Sequence, residues 1–147
     1  MSRSIEREIQ VQASPEVVYE VISSPEHLQE WWPEEAELVA EPGATGSVTF
    51  RRPEGDIIQP VTVVEADPPR RFAFRWSYAG EPAAAEDNSL LVTFDLIPAG
   101  GGTLLRFAET GYDVANKSDE ELADHTSGWD YFLPRISPYA AKLAQRP

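Results

Sequence analysis

Residues 72–78 read Phe72-Ala73-Phe74-Arg75-Trp76-Ser77-Tyr78. Because successive side chains of a β-strand point to opposite faces, this stretch predicts a strand that carries all four aromatic rings on one face. Such a face either fills the core of the protein or lines a pocket for a ligand. The sequence leaves both interpretations open at this point.

Further predicted strands lie on both sides of this one. They occupy residues 48–52, 57–66, 90–97 and 103–110, which are rich in β-branched and aromatic side chains. Turn-forming residues separate them, at Pro42-Gly43, Pro53-Glu54-Gly55, Asp67-Pro68-Pro69, residues 79–88 and residues 98–102. Since no segment between these strands is long enough for a crossover helix, we expect an antiparallel sheet.

The N-terminal part of the chain predicts one more strand and two short helices. Residues 5–11 alternate apolar and polar side chains, with Arg7 as a charged residue on the inward face. Ser14 and Ser24 are each followed by proline and glutamate, which suit the cap and the first turn of a helix.

A long helix is predicted at the C-terminal end. The capping box Ser118-Asp119-Glu120-Glu121 begins it, and apolar side chains then recur at helical spacing. Pro134 and Pro138 predict a break, because proline has no N–H for the helical hydrogen bonds. We expect Ser137 to cap a new helical segment at Pro138.

The composition indicates a single domain, residues 1–147, located in the cytoplasm. The chain has 147 residues, of which 41% are hydrophobic, enough for one core. It has no cysteine, as is typical of reducing compartments, and no stretch typical of a signal peptide or membrane span. With 25 acidic and 12 basic residues, the formal charge is −13, so we expect binding to neither nucleic acid nor membranes.

Motifs of known catalytic and metal sites are missing from the sequence. It contains no nucleophile elbow, phosphate-binding loop, dinucleotide fingerprint or His-Glu-x-x-His helix. Neither His27 nor His125 has a neighbouring histidine or cysteine at ligand spacing. We expect no metal and no cofactor, whereas catalytic activity is disfavoured but left open.

A set of short motifs, in order along nearly the whole chain, resembles a known family. The motifs are Ile5-Glu6-Arg7-Glu8-Ile9, Ala13-Ser14-Pro15-Glu16-Val17-Val18-Tyr19, Pro25-Glu26-His27-Leu28, Trp31-Trp32, Pro42-Gly43, Pro68-Pro69-Arg70-Arg71-Phe72, Trp76, Gly102-Thr103-Leu104-Leu105-Arg106-Phe107 and Gly128-Trp129. Their order and spacing are similar to those of the SRPBCC superfamily, which has the START and Bet v 1-like fold. Within it, the chain resembles homologues of the activator of the Hsp90 ATPase.

The resemblance implies an α+β helix-grip fold with a ligand cavity. In this fold a curved antiparallel sheet wraps around a long C-terminal helix, and two short helices follow the first strand. The candidate walls of the cavity are Phe50, Phe74, Trp76, Phe94, Leu105, Phe107, Trp129 and Phe132, with Trp31 and Trp32 near its mouth. Since the first and last strands are neighbours in this topology, Arg7 and Glu109 are expected to pair with each other or to orient the polar end of a ligand.

Three functions are compatible with these observations. The favoured one is non-catalytic binding of a small hydrophobic or aromatic molecule in an internal cavity. The alternatives are a co-chaperone-like domain that binds a protein partner, and a cavity enzyme of the cyclase or hydrolase type in which Glu109 is the acid or base. The protein is expected to be a monomer or a weak homodimer.

Overall fold

A seven-stranded antiparallel sheet carries the fold, in the order β1-β7-β6-β5-β4-β3-β2. The computed structural model describes residues 3–145. The strands are β1 (Ile5–Val11), β2 (Glu35–Glu37), β3 (Thr45–Phe50), β4 (Ile57–Asp67), β5 (Arg71–Trp76), β6 (Leu90–Ala99) and β7 (Gly102–Thr110). The helices are α1 (Pro15–Ser23), α2 (Pro25–Trp31), α3 (Asp119–Phe132) and α4 (Ile136–Ala144). The predicted antiparallel sheet, with two short helices after the first strand and a helical C-terminal segment, is therefore confirmed.

Strand β4 contains the irregularity that bends the sheet. Val63 pairs with Phe74 and Glu65 pairs with the adjacent Ala73, so β4 has one extra residue at this point. A bulge of this kind bends the strand and increases its local twist. The concave side of the resulting surface faces the helices.

Serine and proline set the boundaries of the two short helices, as predicted. The side chain of Ser14 accepts a hydrogen bond from the backbone N–H of Val17 at 3.3 Å, and Pro15 occupies the first helical position. The backbone N–H of Ser24 donates to Glu20, and Pro25 then begins α2 at once. The chain thus turns sharply between the two helices.

The break in the C-terminal helix lies close to where the prolines predict it. Helix α3 ends at Phe132, a short 3₁₀ turn covers Leu133–Arg135, and α4 begins at Ile136. The predicted cap at Ser137 is wrong, because Ser137 is already inside α4 and its hydroxyl lies 3.5 Å from the carbonyl oxygen of Gln10. Pro138 is tolerated there, since the first N–H groups of a helix have no partner within it.

The aromatic strand is shorter than the sequence predicts. Strand β5 ends at Trp76, and the following Ser77 has a φ of 63°, in the left-handed region. Tyr78 is therefore turned off the aromatic face, and its hydroxyl hydrogen-bonds to Thr62 Oγ1 at 2.5 Å. The edge strand β2 was not predicted at all, because its three residues are too few to show an alternating pattern.

Aromatic rings fill most of the space between the sheet and the helices. The rings of Phe94 and Phe107 lie 5.5 Å apart, and Phe107 lies 4.6 Å from Trp129 of α3. These three rings were expected to line a cavity, and here they pack against one another. A pocket lies at the end formed by β3, β4 and β5.

Between residues 3 and 145, no helix combines the length and the apolar character needed to cross a membrane.

Candidate functional site

A concave pocket of about 400 Å³ lies between α3 and the strands β3, β4 and β5, and it is open to solvent on one side. Its lining has five aromatic side chains, which are Trp32, Phe50, Trp76, Trp129 and Phe132. The remaining lining residues are Arg52, Ile57, Gln59, Ser77, Asp124, His125 and Gly128. We call this site the aromatic pocket.

Trp32 is the centre of the aromatic pocket. Its ring stacks on Trp129 with centroids 5.0 Å apart and meets the ring of Trp76 at 5.1 Å in an edge-on geometry. Phe50 lies 5.8 Å from Trp32 on one side and 6.2 Å from Phe132 on the other. Rings that hold one another in this way form a firm apolar surface on which a flat molecule can stack.

A second, more open groove continues from the aromatic pocket past Trp32 and Phe132. It has a volume of about 660 Å³ and shares five lining residues with the pocket: Trp32, Arg52, Asp124, Gly128 and Phe132. The guanidinium of Arg52 lies 5.6 Å from the centre of the Phe50 ring, within the range of a cation–π contact. The mouth of the pocket therefore carries a positive charge above an aromatic surface.

A buried carboxylate, Glu109 of β7, lies behind the wall of the aromatic pocket. Its exposed fraction is 0%, and burial of a charged group is unfavourable unless hydrogen bonds compensate it. Three groups provide them: Trp76 Nε1 donates at 2.7 Å, the Tyr112 hydroxyl donates, and His125 Nδ1 lies 2.9 Å away. Glu109 thus ties together strand β5, the loop after β7 and helix α3.

The environment of this carboxylate shifts the pKa of two of its partners. Burial of the His125 ring opposes its protonation, but the hydrogen bond to Glu109 and the charges of Glu109, Glu121 and Asp124 outweigh burial and raise the pKa of His125. Burial, reinforced by Glu109, raises the pKa of the Tyr112 hydroxyl far above its ordinary value. Tyr112 therefore remains a hydrogen-bond donor across the physiological range.

His125 connects the buried carboxylate to the pocket. Its side chain is 19% exposed and lines the aromatic pocket, while Nδ1 faces Glu109. Nε2, on the other edge of the ring, lies 3.7 Å from Oε2 of Glu121, a distance too long for a hydrogen bond. Glu121 in turn accepts a hydrogen bond from the hydroxyl of Ser77 and lies 4.0 Å from Nζ of Lys117.

The residues predicted as ligand contacts fall into two groups. Five of the eleven line the aromatic pocket: Trp32, Phe50, Trp76, Trp129 and Phe132. The other six do not line it: Trp31, Phe74, Phe94, Leu105, Phe107 and Glu109. Trp31 is fully buried, its Nε1 donates to the carbonyl oxygen of Val21 at 2.8 Å, and its ring stacks on Trp32 at 5.9 Å, so it is a core residue next to the pocket and does not line it.

The predicted pair between Arg7 and Glu109 is wrong. The register of β1 and β7 places Ile5 opposite Glu109 and Arg7 opposite Phe107. Arg7 does face the helices, but it binds Asp130 of α3 through two hydrogen bonds, of 2.8 and 3.1 Å. Glu109 is instead engaged by Trp76, Tyr112 and His125.

His125 is one of five polar pocket residues that the sequence reasoning missed, together with Arg52, Gln59, Ser77 and Asp124. The signal that reveals it is spacing, since Glu121, His125 and Trp129 lie four residues apart and share one face of α3. Among residues 3–145, no three or more histidine, aspartate or glutamate side chains are grouped so that they would hold a metal ion. The lining of the pocket offers aromatic surfaces for stacking and polar side chains for hydrogen bonds.

Comparisons with known proteins agree with the fold and the motifs. The family model described as activator of Hsp90 ATPase homolog 1-like protein matches residues 12–141. No curated protein sequence is significantly similar to the chain.

Solved structures with the same fold come from several bacteria. Protein MLL2253 from Mesorhizobium loti is 21% identical, with a TM-score of 0.78 over 95% of this chain and 98% of that one. The Aha1 dimer from Colwellia psychrerythraea is 20% identical, with a TM-score of 0.75 over 98% and 99% of the two chains. CalU16 from Micromonospora echinospora is 21% identical, with a TM-score of 0.72 over 95% and 77%. Since the family model covers most of the sequence, the chain belongs to the family of activator of Hsp90 ATPase homolog 1-like proteins.

Proposed function

We propose that this protein binds a small hydrophobic or aromatic molecule in the aromatic pocket and does not transform it. The observation that carries the proposal is a concavity of about 400 Å³ whose lining includes three tryptophans and two phenylalanines. Ligand pockets are typically of this size, mostly apolar, and equipped with a few polar groups that orient the ligand. Here those groups are Arg52, Gln59, Ser77, Asp124 and His125.

The placement of Glu109 supports binding over catalysis. As the candidate acid or base, Glu109 would have to reach the ligand, yet it is fully buried behind Trp76. Its oxygens already accept hydrogen bonds from Trp76 and Tyr112, and His125 lies within hydrogen-bond distance. In this position Glu109 holds the pocket wall together.

Isothermal titration calorimetry with naphthalene, an uncharged aromatic probe, tests the proposal. We expect saturable binding that Phe132→Ala weakens about fivefold, because each ~40 Å² of lost apolar contact costs about 1 kcal/mol.

A matched pair of strand variants provides the control. Ile57 lines the pocket and is 44% exposed, whereas the adjacent Ile58 points to the other face of β4 and is 65% exposed. Ile57→Ala should weaken binding and Ile58→Ala should not; equal effects of the two, or no binding by the wild type, would refute the proposal.

The family supports a second function, in which the domain binds a protein partner as a co-chaperone. The description of the matching family refers to an activator of the Hsp90 ATPase, and one of the similar structures is named Aha1. The rate of ATP hydrolysis by an Hsp90 protein, measured with and without this chain, tests that function. A saturable increase in rate that is insensitive to Phe132→Ala would favour partner binding over the pocket as the main role.

A further inference from the structure

The two nitrogens of the His125 ring are in different environments. Nδ1 lies 2.9 Å from Oε1 of Glu109, which is wholly buried. Nε2 forms no hydrogen bond within residues 3–145, and its nearest carboxylate oxygen is Oε2 of Glu121 at 3.7 Å. Since the buried edge of the ring is occupied, the edge with Nε2 is the one that a ligand can reach.

Glu109 fixes the proton arrangement of this histidine. Its oxygens accept hydrogen bonds from Trp76 Nε1, which can only donate, and from the Tyr112 hydroxyl. A carboxylate held as an acceptor keeps a proton on the histidine nitrogen that faces it. When the imidazole is protonated, its second proton resides on Nε2, and the raised pKa of His125 extends the pH range in which that proton is present.

We propose that His125 recognises the ligand of the aromatic pocket by donating a hydrogen bond from Nε2–H to an oxygen atom of that ligand. The inference rests on the proposed function, because it concerns a molecule bound on the aromatic surface. It narrows the ligand to an aromatic compound that carries an oxygen acceptor at the edge of its ring system. Glu109 is a positioning residue that acts through His125.

The charges around His125 favour an uncharged acceptor, such as a carbonyl oxygen, over a carboxylate. Glu121 and Asp124 lie on the same helix, and both of their negative charges act on the His125 ring. Lys117 does not offset them for a ligand, since its Nζ donates to the backbone oxygen of Ser77 at 2.6 Å and lies 4.0 Å from Oε2 of Glu121. Arg52, the cation at the mouth, lies over the ring of Phe50 and is not among the charges that act on His125. An anionic ligand near Nε2 would be repelled by these carboxylates. A ketone is uncharged, so it would accept the hydrogen bond from Nε2 without this repulsion.

A comparison of two ligands of equal shape tests the inference. 2-Acetonaphthone has a carbonyl oxygen, and 2-isopropenylnaphthalene has a methylene group in its place. For the wild type and each variant, calorimetry gives the ratio of the dissociation constant of the hydrocarbon to that of the ketone. We expect this ratio to be about tenfold higher in the wild type than in His125→Phe, as is typical of a hydrogen bond from a charged donor. His27→Phe is the matched control, since His27 lies on α2, hydrogen-bonded to Tyr139, and should leave the ratio unchanged.

Two further measurements complete the test. In the wild type, the ratio should fall as the pH rises from about 6 to about 9, because loss of the Nε2 proton removes the donor. This titration decides the inference even if His125→Phe does not fold. 2-Naphthoate, the anionic analogue, should bind more weakly than the ketone.

The outcomes separate this inference from the proposed function. A ratio that is the same in His125→Phe and the wild type, or a ratio independent of pH, would overturn the role of His125 while leaving hydrocarbon binding in the pocket intact. Tighter binding of 2-naphthoate than of the ketone would overturn the preference for an uncharged acceptor. Failure of all these ligands to bind the wild type would overturn both the pocket and the inference.

Discussion

Replacing Glu109 with glutamine is expected to weaken the fold at the wall of the aromatic pocket. In the wild type, Trp76 Nε1 and the Tyr112 hydroxyl donate to the Glu109 carboxylate, and His125 Nδ1 lies 2.9 Å from it. Glutamine offers one acceptor oxygen in place of two, and its amide group must face groups that are themselves donors. Because a buried hydrogen bond to a charged group contributes about 1.5–3 kcal/mol, we expect Glu109→Gln to lower the free energy of unfolding by about 2 kcal/mol at mildly acidic pH.

The size of this loss should depend on pH through His125. Its pKa is raised in the folded protein, so protonation of His125 stabilises the folded state. That contribution is fully present below the unfolded pKa, about 6.5, and is lost as the pH rises through the raised folded pKa. Glu109→Gln removes the largest of the contributions that raise this pKa, leaving those of Glu121 and Asp124. The difference in stability between wild type and variant should therefore be largest below about pH 6 and shrink as the pH increases.

Urea unfolding followed by far-UV circular dichroism at a series of pH values measures this difference. Glu8→Gln is the matched control, because Glu8 on the neighbouring strand is paired with Arg106 at 2.7 Å but is 58% exposed. An exposed pair of this kind contributes at most about 1 kcal/mol. A difference for Glu109→Gln that is independent of pH, or that grows as the pH rises, would refute the interaction between Glu109 and protonated His125.

Three other predictions concern the helices and the assembly state. Ser118→Ala removes the hydrogen bond from the Glu121 N–H to Ser118 Oγ, 3.0 Å long, and should lower the unfolding free energy by about 1 kcal/mol in urea titrations. Arg7→Ala breaks an ion pair with Asp130 in which both side chains are more than a third exposed. Its effect on stability should stay below about 1 kcal/mol and shrink in high salt; a larger, salt-independent effect would contradict this assignment. Sedimentation velocity should show a monomer or a weak homodimer, and a stable higher oligomer would contradict that expectation.

Most strands of the sheet could be predicted from the sequence, because the patterns that indicate them are local. Alternating side chains and turn residues placed strands β3 to β7 within a few residues of their observed bounds, and Pro134 marked the end of α3. Two features of the sheet were not predicted from the sequence, because they depend on tertiary contacts. Strand β2 forms only through its pairing with β3. Strand β5 ends at Trp76 because Ser77 adopts a left-handed conformation, and no turn motif in the sequence predicts it.

The candidate site was predictable in its residue types but less so in its geometry. Alternation correctly placed Phe74 and Trp76 on the concave face, yet only Trp76 lines the pocket, since Trp32 covers Phe74 at a centroid distance of 5.7 Å. Arg7 and Glu109 were both recognised as charges on the inward side. Their partners come from α3, β5 and the loop after β7, and sequence patterns do not give the distance between elements that far apart in the chain.

Nuclear magnetic resonance of the tryptophan indole N–H groups tests most directly whether the aromatic pocket binds ligands. The protein has four tryptophans, and Trp32, Trp76 and Trp129 line the pocket. Trp31 does not, because it is buried in the core with its Nε1 bonded to Val21, and it serves as an internal control. Titration with naphthalene should shift the three pocket signals to a common saturation point and change Trp31 least. If the three signals stay unchanged, or if Trp31 responds as strongly as they do, the molecule does not bind where this account places it.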